Sequence, residues 1–393
     1  MKTLFYEAPI TSLSGYGEHS REIASYLLKM TEEFNLYFIE TQWGTSQHSF
    51  KLDNNQLKLA LKNKPTGDEL IDIYVKVGLP EEFVNVGKFN VGISAVVEAS
   101  VCSKDSILKC NLMDLIIVPS AFCKSVLETS ATKHGLVLST NIQVIPQCVN
   151  YQTKISSQAD QSIIDDNLNV VDEEFCFLSV GEWNVSDQSN CDRKNIETLV
   201  RTFIKTFQDY ENRPGLVLKT HYTNYCEHDY DKVYTKIKNI LDSFNNPPNI
   251  YLLHGHLTKQ QLISLYEHEK IKCHIYCSRG EGFGRSILES TLSGKPTFTS
   301  NWSGPLDFIH DESFLIQGNL TQVPHSLGGV DTSAEWYEVS TESLAEKFKN
   351  VFETYEEYLN KMKNISTENK IKHTANEVYR QYKEVFNSYI LSE

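Results

Sequence analysis

Ser278-Arg279-Gly280-Glu281-Gly282-Phe283-Gly284-Arg285-Ser286-Ile287-Leu288-Glu289, continuing through Ser290 to Gly294, is the stretch whose reading decides the fold. A strand-like run, His274-Ile275-Tyr276-Cys277, precedes it. After Gly284 the apolar spacing becomes helical: Ile287, Leu288, Thr291 and Leu292 share a face, and Gly294-Lys295-Pro296 ends the helix. A strand therefore feeds a glycine-rich turn that opens a helix. That layout aims backbone N–H groups and the positive end of a helix dipole at whatever sits above the turn, and an anion such as a phosphate is the natural guest. Two carboxylates flank it, Glu281 in the turn and Glu289 eight positions later in the helix. An ionised carboxylate only accepts hydrogen bonds, so it suits hydroxyl-rich groups. A phosphate cradle beside two hydroxyl acceptors reads as a nucleotide-sugar site.

This string resembles the E-x7-E signature of retaining GT-B glycosyltransferases, family 4 in particular. The likeness runs on through Pro296-Thr297-Phe298-Thr299-Ser300-Asn301-Trp302-Ser303-Gly304-Pro305-Leu306-Asp307, similar to that family's next strand and Gly-containing loop. The resemblance implies an α/β chain of GT-B fold, two Rossmann-like domains facing across a cleft. Residues 1–155 would form an acceptor-side domain, 156–366 the nucleotide-sugar donor domain, and 367–393 a helix crossing back to the first.

Composition agrees with this scale. A chain of 393 residues is long enough for two cores. The formal net charge of −14 provides no global basic footprint for nucleic acid or an anionic membrane, though a local basic groove stays open. The nine cysteines are scattered and form no C-x-x-C, which reads as reduced, buried thiols of a cytoplasmic protein. No apolar run approaches the roughly 18 residues of a membrane span, and the N-terminus, with Glu7 in a short strand, is unlike a signal peptide.

Along the chain, strand and helix patterns alternate. Residues 3–8 read as a strand, 18–30 as a helix, 34–39 as a strand, 54–64 as a helix, and 71–77, 89–97, 115–118 and 142–145 as further strands. Polar residues from Tyr151 to Glu174 read as a linker. Alternation then resumes: strands over 175–180, 216–220 and 250–253, helices over 195–207, 231–244 and 259–269, and two closing helices over 342–362 and 369–390. Repeated β–α units predict parallel sheets covered on both faces.

The loop after the first strand carries Gly15-Tyr16-Gly17. It resembles the family's first loop, where glycines let the backbone approach the donor phosphate and the acceptor. His19 and Arg21 at the helix start point either to that site or to solvent. Another loop, Gly181 to Asn195, ends Asp192-Arg193-Lys194-Asn195. Adjacent Arg and Lys there place two cations beside a diphosphate, one a planar fork and one a point charge. The family resemblance agrees, although this loop is longer than usual.

By that resemblance, Arg193, Lys194 and Glu281 form the catalytic set. Glu289 accepts from the ribose, and Glu281 with the Gly282, Phe283 and Gly284 amides holds donor-sugar hydroxyls. Arg285 stands where the family usually has an aliphatic residue. His254, bracketed with His256 around Gly255, lies in a loop the family places near the nucleotide base, and Lys219 at a strand end is a further candidate for the diphosphate. Glu98 occupies the region where many members carry a His, and it is read with His19 as an acceptor-side group. The implied chemistry retains anomeric configuration and needs no metal. Asp229-Tyr230-Asp231 spells the D-x-D of metal-dependent transferases, but it sits where a helix start favours Asp for capping.

The expected partners are a nucleotide-diphosphate sugar, such as a UDP-sugar, and a hydroxyl acceptor, a saccharide or lipid-linked saccharide. A hydroxymethylated base in nucleic acid is the alternative acceptor, and an inactive nucleotide-sugar binding protein is the alternative function.

Overall fold

The computed structural model describes residues 1–44, 55–63, 67, 70–149, 158–183, 192–324 and 330–391. The chain divides into two compact units. The first comprises Met1–Cys148, the described residues of 326–335, and the chain from His373; the second comprises Val149 onward and Trp336–Lys372.

In chain order, the first unit contains β1 (Lys2–Ala8), α1 (Gly15–Leu27), β2 (Phe34–Glu40), α2 (Asn55–Ala60), β3 (Ile73–Val77), β4 (Phe89–Ile93), α3 (Lys104–Cys110), β5 (Leu115–Val118), α4 (Ala121–Lys133) and β6 (Asn141–Val144). Its strands pair in parallel in the order β2-β1-β3-β4-β5-β6. Strands β3 and β5 are buried along their whole length, as expected of a sheet covered on both faces. Ile23, Ala24 and Leu27 of α1 pack on Leu4, Tyr6 and Ile73.

The second unit continues with α5 (Gln158–Leu168), β7 (Cys176–Glu182), α6 (Ile196–Phe207), β8 (Gly215–His221), α7 (Glu227–Leu241), β9 (Ile250–Leu253), α8 (Lys259–Glu267), β10 (Ile271–Ile275), α9 (Arg285–Leu292), β11 (Thr297–Ser300) and β12 (Leu315–Ile316). A two-stranded ribbon, β13 (Gly318–Gln322) with β14 (Glu335–Val339), then α10 (Thr341–Glu353) and α11 (Tyr355–Lys372) follow. The sheet order is β12-β11-β10-β7-β8-β9. Its core is aromatic: Phe177 lies edge-on to Phe348 at 4.9 Å and to Phe203 at 5.9 Å, tying α6 and α10 to β7. The chain winds outward from β7 through β8 and β9, then restarts on the other side at β10. The order therefore reverses between β7 and β10, and ligands of such sheets bind at that reversal, outside the carboxyl ends of the strands. The loops leaving these two strands are the Arg193-Lys194 loop and the Glu281 turn.

Four sequence expectations are corrected. The polar stretch read as a linker contains helix α5, whose Ile164 and Leu168 are buried against Leu265 and Tyr266. The strand read through Val97 ends at Ile93, because Val96 takes a left-handed φ of 56° that no strand can hold. The helix read over 342–362 is two, α10 and α11, divided at Thr354. The last helix begins after a break at Thr374, as α12 (Ala375–Phe386). Asn369 still belongs to the second unit, donating to Thr291 Oγ1 at 3.0 Å and to the Phe308 carbonyl at 3.1 Å. The return to the first unit therefore comes at His373, whose Nδ1 lies 3.2 Å from the Gln147 carbonyl oxygen. The expected domain boundary at 155 lies outside the described residues.

A second return was not legible in the sequence. Residues 330–335 rejoin the first unit, with Cys102 bridging Val330 and the Ser100 amide donating to the Glu335 carbonyl at 2.8 Å. Among the described residues all eight cysteines are free and only Cys226 is exposed. Among them, too, no helix is long and apolar enough to cross a membrane.

Candidate active site

The turn between β10 and α9 is shaped by backbone constraints. Gly284 takes φ 87° at the N-cap of α9, and a Cβ there would sit 2.9 Å from Pro305 Cγ. Gly304 closes the turn from beneath: its amide donates to the Glu281 carbonyl at 3.0 Å, and a Cβ on it would lie 2.5 Å from the Gly282 carbonyl oxygen. Both positions require glycine. The face of α9 read from the sequence is the one that packs, with Ile287, Leu288, Thr291 and Leu292 buried. Phe283 turns its ring into the core against Phe308 at 5.5 Å. The Glu281–Gly284 backbone is thus pinned from below, at the first turn of α9.

Three of the residues singled out in the sequence come together here. Lys194 Nζ donates to Glu281 Oε1 at 2.5 Å, and Arg193 Nη1 lies 3.3 Å from Glu281 Oε2. Arg193 also donates to the Gly280 carbonyl at 2.6 Å. Glu281 is 6% exposed. Burial alone would raise its pKa. The charges of Lys194 and Arg193, with hydrogen bonds from Lys194 and Ser278, outweigh burial and hold it at about 2. Glu281 is therefore ionised at neutral pH, with two cations gathered on it.

The loop that delivers those cations is braced by residues the sequence reading did not single out for a role. Arg279 is buried; its Nη1 donates to the Asp192 carbonyl at 2.6 Å, its amide to the Arg193 carbonyl at 2.7 Å, and its Nε to Glu338 Oε2 at 2.5 Å. Its guanidinium stacks over Trp336, 5.1 Å from the ring centre. Glu338 Oε1 in turn accepts from Asn195 Nδ2 at 3.0 Å. Asn195 holds the left-handed φ of 56° that starts α6, a conformation Asn tolerates better than most residues. Asp192 Oδ2 accepts from the Ile196 amide at 2.7 Å, and burial pushes its carboxyl up to about 6. An Asn before a helix was a readable signal for Asn195. Glu338 lies in β14, far along the chain, and had none.

The remaining donor-side candidates of the second unit are held by partners of their own. Arg285 Nε pairs with Glu289 Oε1 at 3.1 Å across one helical turn, and Tyr266 lies 3.5 Å from Glu289 Oε2. His254 Nε2 sits 2.9 Å from Asp229 Oδ2. Asp229 also accepts from the amides of Tyr222, Thr223 and Asn224 at 2.7–3.1 Å. Burial would raise this carboxyl, but the His254 bond and the three amides bring it to about 2. The first Asp of the D-x-D thus organises the β8–α7 loop, while Asp231 is exposed. Lys219 is buried, its Nζ donating to the Gly255 carbonyl at 2.5 Å, and burial lowers its pKa to about 8.

The candidates in the first unit have partners within that unit. Gly17 lies where a Cβ would meet the Ser12 carbonyl oxygen at 2.1 Å; its amide donates to Ser14 Oγ, the N-cap of α1, which Gly15 opens. The Tyr16 hydroxyl accepts from the Ala95 amide at 2.9 Å. His19 faces neither solvent nor open space: its ring is buried, 3.3 Å from the Tyr382 hydroxyl on α12 and 3.3 Å from Gln147 Nε2. Arg21 donates to the Ile10 and Ser12 carbonyls and to Glu18. Glu98 is half-buried, just beyond strained Val96.

Known proteins resemble this chain in one stretch of sequence and in the whole of its fold. Residues 231–328, which include the Glu281 turn and α9, match the family described as glycosyl transferases group 1. Among solved structures, a glycosyltransferase from Rickettsia africae is similar over 100% of this chain and 99% of its own, at 13% identity and a TM-score of 0.66. Sucrose-phosphate synthase from Thermosynechococcus elongatus matches over 100% of both chains at 13% identity and a TM-score of 0.63. Anabaena HepE, solved with UDP and glucose, covers 99% of this chain and 100% of its own at 12% identity and a TM-score of 0.60. No curated protein matches by sequence. The fold is GT-B, as expected, with a Rossmann-like sheet in each unit. The stretch that matches group 1 glycosyl transferases thus carries the Glu281 turn and α9, within a chain of GT-B fold.

Proposed function

We propose that this chain is a retaining transferase that moves a sugar from a nucleoside-diphosphate sugar, UDP-linked by preference, to a hydroxyl of a saccharide or lipid-linked saccharide. The observation that carries the reading is the gathering of Lys194 and Arg193 on ionised Glu281, at the strand-order reversal and at the first turn of α9. Two cations and a helix N-terminus suit a diphosphate leaving group, and a carboxylate beside them suits sugar hydroxyls.

In the reaction so read, the bond from the anomeric carbon to the β-phosphate oxygen breaks. The acceptor oxygen bonds to that carbon on the same face, and its proton passes to the departing phosphate. Lys194, Arg193 and the α9 amides stabilise the charge that develops on the diphosphate, and no metal is required. Glu281 and the Gly282–Gly284 backbone hold donor hydroxyls, Glu289 accepts from the ribose, and His254 lies toward the base. In the first unit, the Gly15-Tyr16-Gly17 loop brings its backbone to the donor, and Glu98 and His19 serve the acceptor side.

A panel of nucleotide sugars, scored by hydrolysis and by thermal shift, tests the reading. Hydrolysis of one or a few donors supports it, a thermal shift with no turnover of any donor overturns it in favour of an inactive binding protein, and no response to any donor removes both readings. An acceptor screen that includes hydroxymethylated DNA then separates saccharide from nucleobase acceptors.

A further inference from the structure

Trp43 is a large aromatic residue left half-exposed just past the carboxyl end of β2. Its ring stacks on Tyr16 with centroids 3.8 Å apart and planes inclined by 21°. The pair sits on a rigid base. The Tyr16 hydroxyl is fixed by the Ala95 amide at 2.9 Å and approaches Ser94 Oγ at 3.4 Å, beyond the end of β4. The Thr11 amide and hydroxyl both donate to Glu40 Oε1, at 3.0 and 2.8 Å, and the Thr41 amide donates to the Ala8 carbonyl. Gly44, at φ 48°, turns the chain immediately after Trp43. The loops that present the two rings are therefore held by backbone bonds of their own. Trp43 is absent from the buried core, so its stack on Tyr16 is not needed to fill it.

We propose that the Tyr16–Trp43 stack is the platform on which a neutral pyranose of the acceptor lies. This rests on the transferase reading above and narrows it to a saccharide acceptor. A flat aromatic face matches the C–H face of a sugar ring, while carboxylate and hydroxyl groups beside it take the ring hydroxyls. Both kinds of group are present: Ser94 lies next to the Tyr16 hydroxyl, and the charge of Glu98 acts on Tyr16.

The charge pattern separates a sugar from a nucleobase, which would also stack. A nucleic acid needs uncommitted cations for its phosphates. Lys76, on neighbouring β3, is held by Glu7 and Glu82, and Arg21 is held by two carbonyls and Glu18. Two anions belong to these surroundings: Glu40 ends the strand three residues before Trp43, and the charge of Glu98 acts on Tyr16. A neutral, hydroxyl-rich ring fits these surroundings, and a phosphate-bearing chain does not.

The test places the full labelled chain on an array of defined neutral, acidic and amine-bearing glycans. Oligonucleotides carrying 5-hydroxymethylcytosine form a second arm. The expected result is binding to neutral glycans that share a terminal sugar. Trp43→Ala should weaken it roughly tenfold or more, the loss of one well-placed aromatic contact, and Trp43→Phe, which keeps an aromatic face, should retain most of it. In turnover assays with a bound glycan, Trp43→Ala should raise the acceptor KM far more than it lowers kcat.

Unchanged glycan binding in Trp43→Ala overturns the proposal. So does preference for the oligonucleotides, or failure to bind any glycan by a chain that still hydrolyses a nucleotide sugar. A Trp43→Ala loss accompanied by a lower melting temperature and a lost nucleotide response marks a structural role and also overturns it. Absence of any nucleotide-sugar response in the wild-type chain is a different outcome, which removes the transferase reading itself.

Discussion

Lys194 Nζ lies 2.5 Å from Glu281 Oε1, although the two residues are 87 positions apart in the chain. The pair joins the loops that leave β7 and β10, the two strands between which the sheet order reverses. It makes Glu281 an anion whose charge is balanced by side chains that a diphosphate would also recruit. The two roles can be separated. Glu281→Gln removes the competing anion, so nucleoside diphosphate should bind at least as tightly as to wild type. Transfer should nevertheless fall by roughly a hundredfold or more, the scale of a lost transition-state electrostatic contact. Lys194→Ala should lower both. Calorimetric titration with UDP, alongside turnover, reads the difference; weaker UDP binding in Glu281→Gln would remove the assigned competition.

The same pairing sets a pH dependence. The Glu281 carboxyl is held at about 2 in the folded chain against 4.5 for the free group. Its contribution is therefore complete above about pH 4.5 and is lost as pH falls toward 2, on the order of 3 kcal/mol in all. Asp192 runs the other way. Burial raises it from 3.8 to about 6, so the folded state binds the extra proton, and stability falls as pH rises from about 4 to 6. Asp192→Asn keeps an acceptor for the Ile196 amide and removes the titration. Urea denaturation at intervals from pH 4 to 7 should show this variant gaining on wild type across that window, by on the order of 2–3 kcal/mol. Parallel curves would refute the assignment.

Arg279, within the turn, and Glu338, on β14, brace the cation loop. Arg279→Ala removes one partner of a largely buried pair and leaves the Asp192 carbonyl without this donor. A loss on the order of 2–4 kcal/mol is expected, scaled down from a fully buried pair because the Glu338 side chain is 32% exposed. The positioning role appears in kinetics: the donor KM should rise and kcat fall even at temperatures where the variant is fully folded. Arg279→Lys should recover charge but little activity, because a lysine cannot bond Asp192 and Glu338 at once in the same fork.

The turn should be intolerant of the smallest added group. Gly304→Ala places a methyl 2.5 Å from a carbonyl oxygen, and Gly284→Ala adds a crowded Cβ at φ 87°. Each should cost about 1–3 kcal/mol through strain and reduce transfer further than the stability loss explains. Gly255→Ala, whose Cβ would meet nothing within 4 Å, is a control for positive φ alone at 107°. Melting temperatures of the three variants give the ranking, with Gly255→Ala expected to be the mildest.

The first unit holds a hydrogen-bonded junction of its own. His19 sits between Gln147 and Tyr382, joining α1 to the returning helix α12. Tyr382→Ala should cost about 3–5 kcal/mol as a large buried aromatic, whereas His19→Gln, which can keep polar partners, should cost about 1 kcal/mol or less. Hydrogen exchange of α12 amides reads both; equal protection in wild type and Tyr382→Ala would show that this ring does not hold the helix.

Sequence alone determined what depends on near neighbours. The change from strand to helical spacing around Gly284, the β–α alternation, and the chemistry of Glu281, Arg193 and Lys194 were all legible, because helix periodicity and glycine placement act over a few residues. Tertiary structure decided what depends on pairing across the chain. Glu338 reaches Asn195 and Arg279 from β14, and His19 is enclosed by Tyr382 and Gln147. No local pattern marks these residues. Each is a polar group whose partner is chosen by burial, since a polar side chain taken from water must find a hydrogen bond wherever the fold provides one.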